Sequence, residues 1–260
     1  SSRSSRTHNA MIMSISGSFI DIPTIASRTH DLKPFNRSVL NTTLSQEENP
    51  WQMIPNHEIH QPPRDLRLIV HGSSGGKIHP LVKYLVDQVK NLRGSSVELE
   101  VLTKERPQKS SSQSIWLVPL FLLPGKHVEK DIPKIFERLT NQGIKTSLLP
   151  FLGSWTNWLV TLENLIDLES KIGKPILLHH PLNNDTGKSY LKYLNKRLNI
   201  PIIPWTDWER TESHKGYNPI PYSLAPNKNT KELRQSDSFS SLLEIEIFLF
   251  GLIKMLVLLP

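Results

Sequence analysis

From Asp65 onward the chain alternates between short apolar runs and longer amphipathic stretches. Leu66–Val70 is an apolar run of strand length, broken only by Arg67. It is followed by Leu81–Leu92, in which Leu81, Val82, Leu85, Val86, Val89 and Leu92 fall on one helical face. Val97–Leu102 and Ile115–Leu120 read as strands. Ile132, Ile135, Phe136 and Leu139 mark the next amphipathic helix, with Asp131 placed as its N-cap and Pro133 tolerated in its first turn. Ile144–Pro150 is a further strand, after which Ser154 is placed to cap a helix carrying Trp155, Trp158, Leu159, Leu162 and Ile166. The pattern then restarts, with Pro175–His179 apolar, Ser189–Leu198 helical and Ile200–Pro204 extended. Alternation of this kind predicts mainly parallel sheets covered by helices on both faces.

Two echoes turn the restart into a repeat. Lys83-Tyr84-Leu85 recurs as Lys192-Tyr193-Leu194, and residues 118–131 (VPLFLLPGKHVEKD) align without a gap on residues 220–233 (IPYSLAPNKNTKEL). In that alignment Pro119 meets Pro221, Pro124 meets Pro226 and Lys126 meets Lys228, whereas His127 meets Asn229. The expected fold is therefore α/β with two similar Rossmann-like lobes, each a mainly parallel sheet flanked by helices. The expected boundaries are an extension over residues 1–63, a first module over 64–172 and a divergent second lobe over 173–260. Residues 242–260 are very apolar, but Glu244, Glu246 and Lys254 interrupt them, so they read as a packed terminal helix and no membrane association is expected.

Composition narrows the classes. With no cysteine among its 260 residues, the chain has neither disulfides nor thiolate metal sites. A net charge of +7 suits a polyanionic partner, including a small ligand rich in carboxylates. The basic residues are scattered and no nucleic-acid motif accompanies them, so nucleic acid is not an expected partner. The polar first 63 residues read as a disordered or presequence-like extension, in which Arg3, Arg6, Arg28, Lys33 and Arg37 outnumber Asp21 and Asp31 up to residue 43. The expected location is cytoplasmic, or the plastid stroma if the extension is a presequence.

The candidate chemistry sits at two strand ends. LIVHGSSGG (68–76) carries an apolar run into a turn at His71, and VPLFLLPGKHVEKDIP (118–133) does the same at His127. Ligands of open parallel sheets bind at the carboxyl ends of the strands, and a neutral imidazole binds a divalent metal or accepts a proton. Gly72, Gly75, Gly76 and Gly125 permit the sharp turns. Ser73, Lys77, Lys126, Lys130 and the carboxylate of Glu105, just past the second strand, are candidate ligand contacts. His79 is placed to support His71, and His179-His180 ends the first strand of the repeat. HGSSGG fits neither common nucleotide-binding pattern, and the nucleophile elbow GxSxG is missing, which argues against NTP chemistry and a serine hydrolase.

These two histidine motifs, followed by LLPFLGS (148–154), resemble the sirohydrochlorin chelatases of the class II chelatase superfamily over about residues 66–170. The family usually reads HGSR in the first motif, and Ser74 stands here in place of the arginine. The resemblance implies insertion of Co²⁺ or Fe²⁺ into sirohydrochlorin, for cobalamin or siroheme, with His71 and His127 as catalytic and metal-contacting residues. It implies no permanent cofactor, the metal being a substrate. The macrocycle's partners would include Gly72, Ser73, Lys126 and Glu105. A two-lobed monomer and a homodimer both fit. A non-catalytic tetrapyrrole carrier on the same fold is the alternative.

Overall fold

The strands carry buried side chains on both faces, as a sheet covered by helices on both sides requires. A computed structural model describes residues 63–106, 109–209, 215–232 and 239–260. Residues 1–62, which hold nearly all of the expected extension together with His57 and His60, lie outside the described residues. The first sheet contains β1 (Asp65–Val70), β2 (Val97–Val101), β3 (Ser114–Pro119) and β4 (Lys145–Leu148) in the order β2-β1-β3-β4, all parallel. The second contains β5 (Lys174–His179), β6 (Ile202–Pro204) and β7 (Tyr217–Pro221) in the order β6-β5-β7, also parallel. The second sheet thus repeats the first three strands of the first in the same spatial order.

The helices are α1 (Pro80–Leu92), α2 (Ile132–Asn141), α3 (Thr156–Glu169), α4 (Asp185–Leu198), α5 (Trp205–Glu209), α6 (Lys228–Glu232) and α7 (Glu246–Leu258). Side chains alternate between two compartments. Leu66, Leu68, Trp116 and Val118 join Leu177 and Ile220 in one core shared by both sheets with α1, α3 and α7. On the opposite face of the first sheet Ile69, Ile115 and Leu117 pack on Ile132, Ile135 and Leu139 of α2. On the opposite face of the second sheet Ile176 and Leu178 pack on Trp205 and Trp208 of α5. Arg67, fully buried on that outer side of β1, is held by Glu98 at 2.6 Å and Glu100 at 2.5 Å, and Arg138 of α2 closes on Glu100 at 2.5 Å. A guanidinium stripped of water needs such partners.

The apolar end of the chain is a packed helix. Every residue of α7 from Ile247 to Leu256 is buried, and the helix lies against α1 and α3 of the first lobe, with Phe248 edge-on to Trp158 at 5.0 Å. Arg93, just past α1, clamps it by donating to the carbonyls of Leu256 (3.0 Å) and Leu259 (2.5 Å), and to that of Arg64 (2.5 Å). Trp116 Nε1 donates to the carbonyl of Pro260. No helix among the described residues is long and apolar enough to cross a membrane.

Two expected caps are corrected. Asp131 has helical backbone angles and makes no capping bond, because the winding starts earlier, as a π-helical turn over His127–Asp131. Ser154 lies within the short 3₁₀ turn Leu152–Ser154 and bonds to Phe151 O at 2.7 Å. The extended residue before α3 is therefore Trp155, which makes no side-chain cap.

Candidate active site

β1 ends at Val70, so His71 is the first residue beyond the sheet on its carboxyl rim. The chain must then reverse within the width of one strand. Gly72 has φ +77°, and a Cβ there would stand 2.3 Å from Val101 Cγ1 and 2.7 Å from Thr103 Oγ1. The turn is fastened by Ser73 N–H to Lys77 O at 2.7 Å and by Thr103 Oγ1 to Ser73 O at 2.6 Å. His71 Nδ1 lies 2.6 Å from Gly72 O. A carbonyl only accepts, so Nδ1 carries the proton and Nε2 keeps its lone pair.

β3 delivers the second imidazole. After Pro119 the chain runs to Gly125 and then winds into the π turn, where Ile132 N–H bonds to His127 O. Pro133 has no N–H to continue the ordinary helical ladder at this point, consistent with the wider winding. His127 Nδ1 contacts Asp131 Oδ2 at 2.6 Å, again leaving Nε2 uncommitted. A carboxylate behind an imidazole fixes its tautomer and ring orientation. The two imidazole rings meet edge to face, with centroids 4.6 Å apart, and Phe121 flanks His127 at 6.3 Å.

Both histidines open into a cleft of about 830 Å³ lined from both lobes. The first lobe supplies His71, Gly72, Ser73, Lys77, His79, Leu120–Leu123, Gly125 and His127. The second supplies His180, Leu182, Trp205 and the stretch from Tyr222 to Asn229. The lobes are tied beside it: Tyr190 Oη donates to Gly153 O at 2.7 Å and pairs with Tyr222 Oη at 3.1 Å, while Asn184 Nδ2 donates to Pro124 O at 2.8 Å. Burial pushes the Tyr222 phenol up to about 12, so it stays protonated at neutral pH. Burial lowers His79, which is also beside Lys231, and its Nδ1 accepts from Leu81 N–H as the N-cap of α1. Burial, then the charges of His71 and His127, lower His180.

The structure therefore gathers His71, His127, Gly72, Ser73, Lys77 and His79 at one cleft. Glu105, Lys126, Lys130 and Ser74 are exposed and do not line it. In the second lobe Asn229 lines the cleft at the start of α6, as its alignment with His127 predicts. The sequence reading missed Asp131 as the partner of His127. The signal was present as a histidine and a carboxylate four residues apart on one helical turn. It also left His180 as a residual candidate, although His180 lines the cleft.

A histidine pair on the carboxyl rim of a parallel sheet thus opens into a cleft between two α/β lobes of like topology. Residues 65–167 match the model of the CbiX family. The resemblance to the class II chelatases carried by the two histidine motifs is thus supported independently over the first lobe. The fold is similar to that of the sirohydrochlorin chelatase SirB from Bacillus subtilis subspecies spizizenii, solved in complex with cobalt, with a TM-score of 0.52 at 17% identity over 66% of this chain and 79% of that one. No curated protein sequence matches.

Proposed function

We propose that this chain is a metal chelatase that inserts a divalent cation, Co²⁺ or Fe²⁺, into sirohydrochlorin or a closely related polycarboxylate tetrapyrrole. The observation that carries the reading is the imidazole pair, each ring with Nδ1 engaged and Nε2 uncommitted, in a cleft walled by both lobes. The cleft volume, roughly 830 Å³, falls in the upper part of the range for small-molecule sites. Lys77 and Lys228 at its lining offer partners for the substrate's carboxylates. With both walls supplied in cis, a two-lobed monomer suffices.

Insertion requires the cation to shed water, two pyrrole N–H protons to leave and bonds from the ring nitrogens to the metal to form. The Nε2 lone pairs of His71 and His127 suit cation delivery and proton acceptance, and Asp131 stabilises the imidazolium when His127 takes a proton. The metal is a substrate throughout. The test is the change in macrocycle absorbance when sirohydrochlorin and Co²⁺ or Fe²⁺ are mixed with the protein. The wild type is expected to accelerate the change, and His71→Ala/His127→Ala to abolish the acceleration. Equal rates for the two would refute the enzyme. Macrocycle binding without acceleration would assign a tetrapyrrole carrier.

A further inference from the structure

The register of the two sheets shows that the second lobe keeps one of the two histidine positions. Ile69 of β1 pairs with Pro119, and Leu178 of β5 pairs with Pro221, the proline that aligns with Pro119. His71 stands two residues beyond Ile69, and His180 stands two residues beyond Leu178. His180 is thus the topological counterpart of His71, contributed by the other lobe, and it lines the same cleft. Its ring rests edge-on against Trp205 at 5.0 Å, and neither of its nitrogens has a hydrogen bond among the described residues.

We infer that His180 is a third ligand to the divalent cation, joining His71 and His127 from across the lobes. The inference rests on the chelatase reading and extends it. Catalytic metal sites commonly use three protein ligands and leave a position open. The candidate carboxylate for the third place, Glu105, does not line the cleft, and His79 spends Nδ1 on the cap of α1. His180 is the remaining lining imidazole with unengaged nitrogens. Among the described residues no three histidine or acidic side chains are already gathered to hold a metal, so the third bond needs a side-chain rotation. His180 lies on the loop after β5, partly open to the cleft, and among the described residues its ring makes an aromatic contact but no hydrogen bond, so a rotation breaks no polar bond.

The experiment titrates the full chain with Co²⁺ alone. It follows affinity and the visible cobalt spectrum, and counts imidazole ligands by X-ray absorption, for the wild type, His180→Ala, His180→Gln and His71→Ala, with circular dichroism to confirm folding. Expected are three imidazoles in the wild type, two in both His180 variants, and an affinity loss of about 10–100-fold on losing His180, the scale seen even for outer-shell partners of metal ligands. If both folded His180 variants match the wild type in affinity and ligand count while His71→Ala loses binding, the inference is overturned and the chelatase reading stands. If the wild type binds no cobalt, both fall together.

Discussion

Gly153→Ala is the sharpest test of how the site is framed. Gly153 sits in the 3₁₀ turn before α3, and the ideal Cβ of an alanine there would stand 1.9 Å from Leu122 O and 2.6 Å from Leu122 C. A carbon and an oxygen cannot approach so closely, and the obstructing atoms are backbone, so one segment must move by about 1 Å or more. Two hydrogen bonds are in the path: Gly153 N–H to Phe121 O at 3.0 Å and Tyr190 Oη to Gly153 O at 2.7 Å. Each is worth about 0.5–1.5 kcal/mol. Overpacking beside the fully buried Leu152 adds about 1–3 kcal/mol. The expected loss is about 2–6 kcal/mol in urea-induced unfolding, with lower chelatase activity because Phe121 and Leu122 line the cleft. Gly94→Ala is the control: nothing lies within 4 Å of its Cβ, and its effect is expected within about 0.5 kcal/mol. A Gly153→Ala stability within 0.5 kcal/mol of wild type would refute the steric argument.

Asp131→Ala is expected to lower activity and Co²⁺ affinity by about 10–100-fold through the loss of orientation at His127, with Asp131→Asn recovering part of both. Steady-state kinetics and metal titration measure it. Arg93→Ala strips the donor from four backbone carbonyls and is expected to cost about 3–5 kcal/mol, read by thermal unfolding, with faster proteolysis within residues 246–260. Burial lowers His179 below its ordinary value of 6.5, despite the His180 carbonyl that its Nδ1 contacts. The unfolded chain therefore binds more protons than the native one between the two pKa values. Stability is expected to rise with pH through that window and to fall on acidification below about 6.5, with a shallower slope in His179→Asn measured by unfolding between pH 5 and 8.

Most strands were legible because they are largely apolar runs, and both histidines were legible because each sits in the turn that ends such a run. The repeat was legible because its prolines and lysine kept their spacing. Asp131 was read as a cap because the helix was expected to start there, whereas the winding starts at His127 and puts the two side chains four residues apart on one turn. His180 was undervalued because its equivalence to His71 depends on how β5 pairs with β7, a tertiary property. Likewise, α7 is apolar on every side, which announces burial but does not say against which helices.

The docking of α7 on α1 and α3 has a consequence for the order of assembly. As the chain is synthesised, residues 65–170 leave the ribosome well before the helix that covers them, and Arg93 meets the carbonyls of Leu256, Val257 and Leu259 only across a separation of 163 residues or more. Until then the first lobe presents the apolar flanks of α1 and α3 to solvent, a state prone to association. His71 and His127 belong to an early-emerging lobe whose apolar flank is covered only when residues 246–258 arrive. An excised first lobe should therefore be sticky, and supplying residues 239–260 in trans should relieve it.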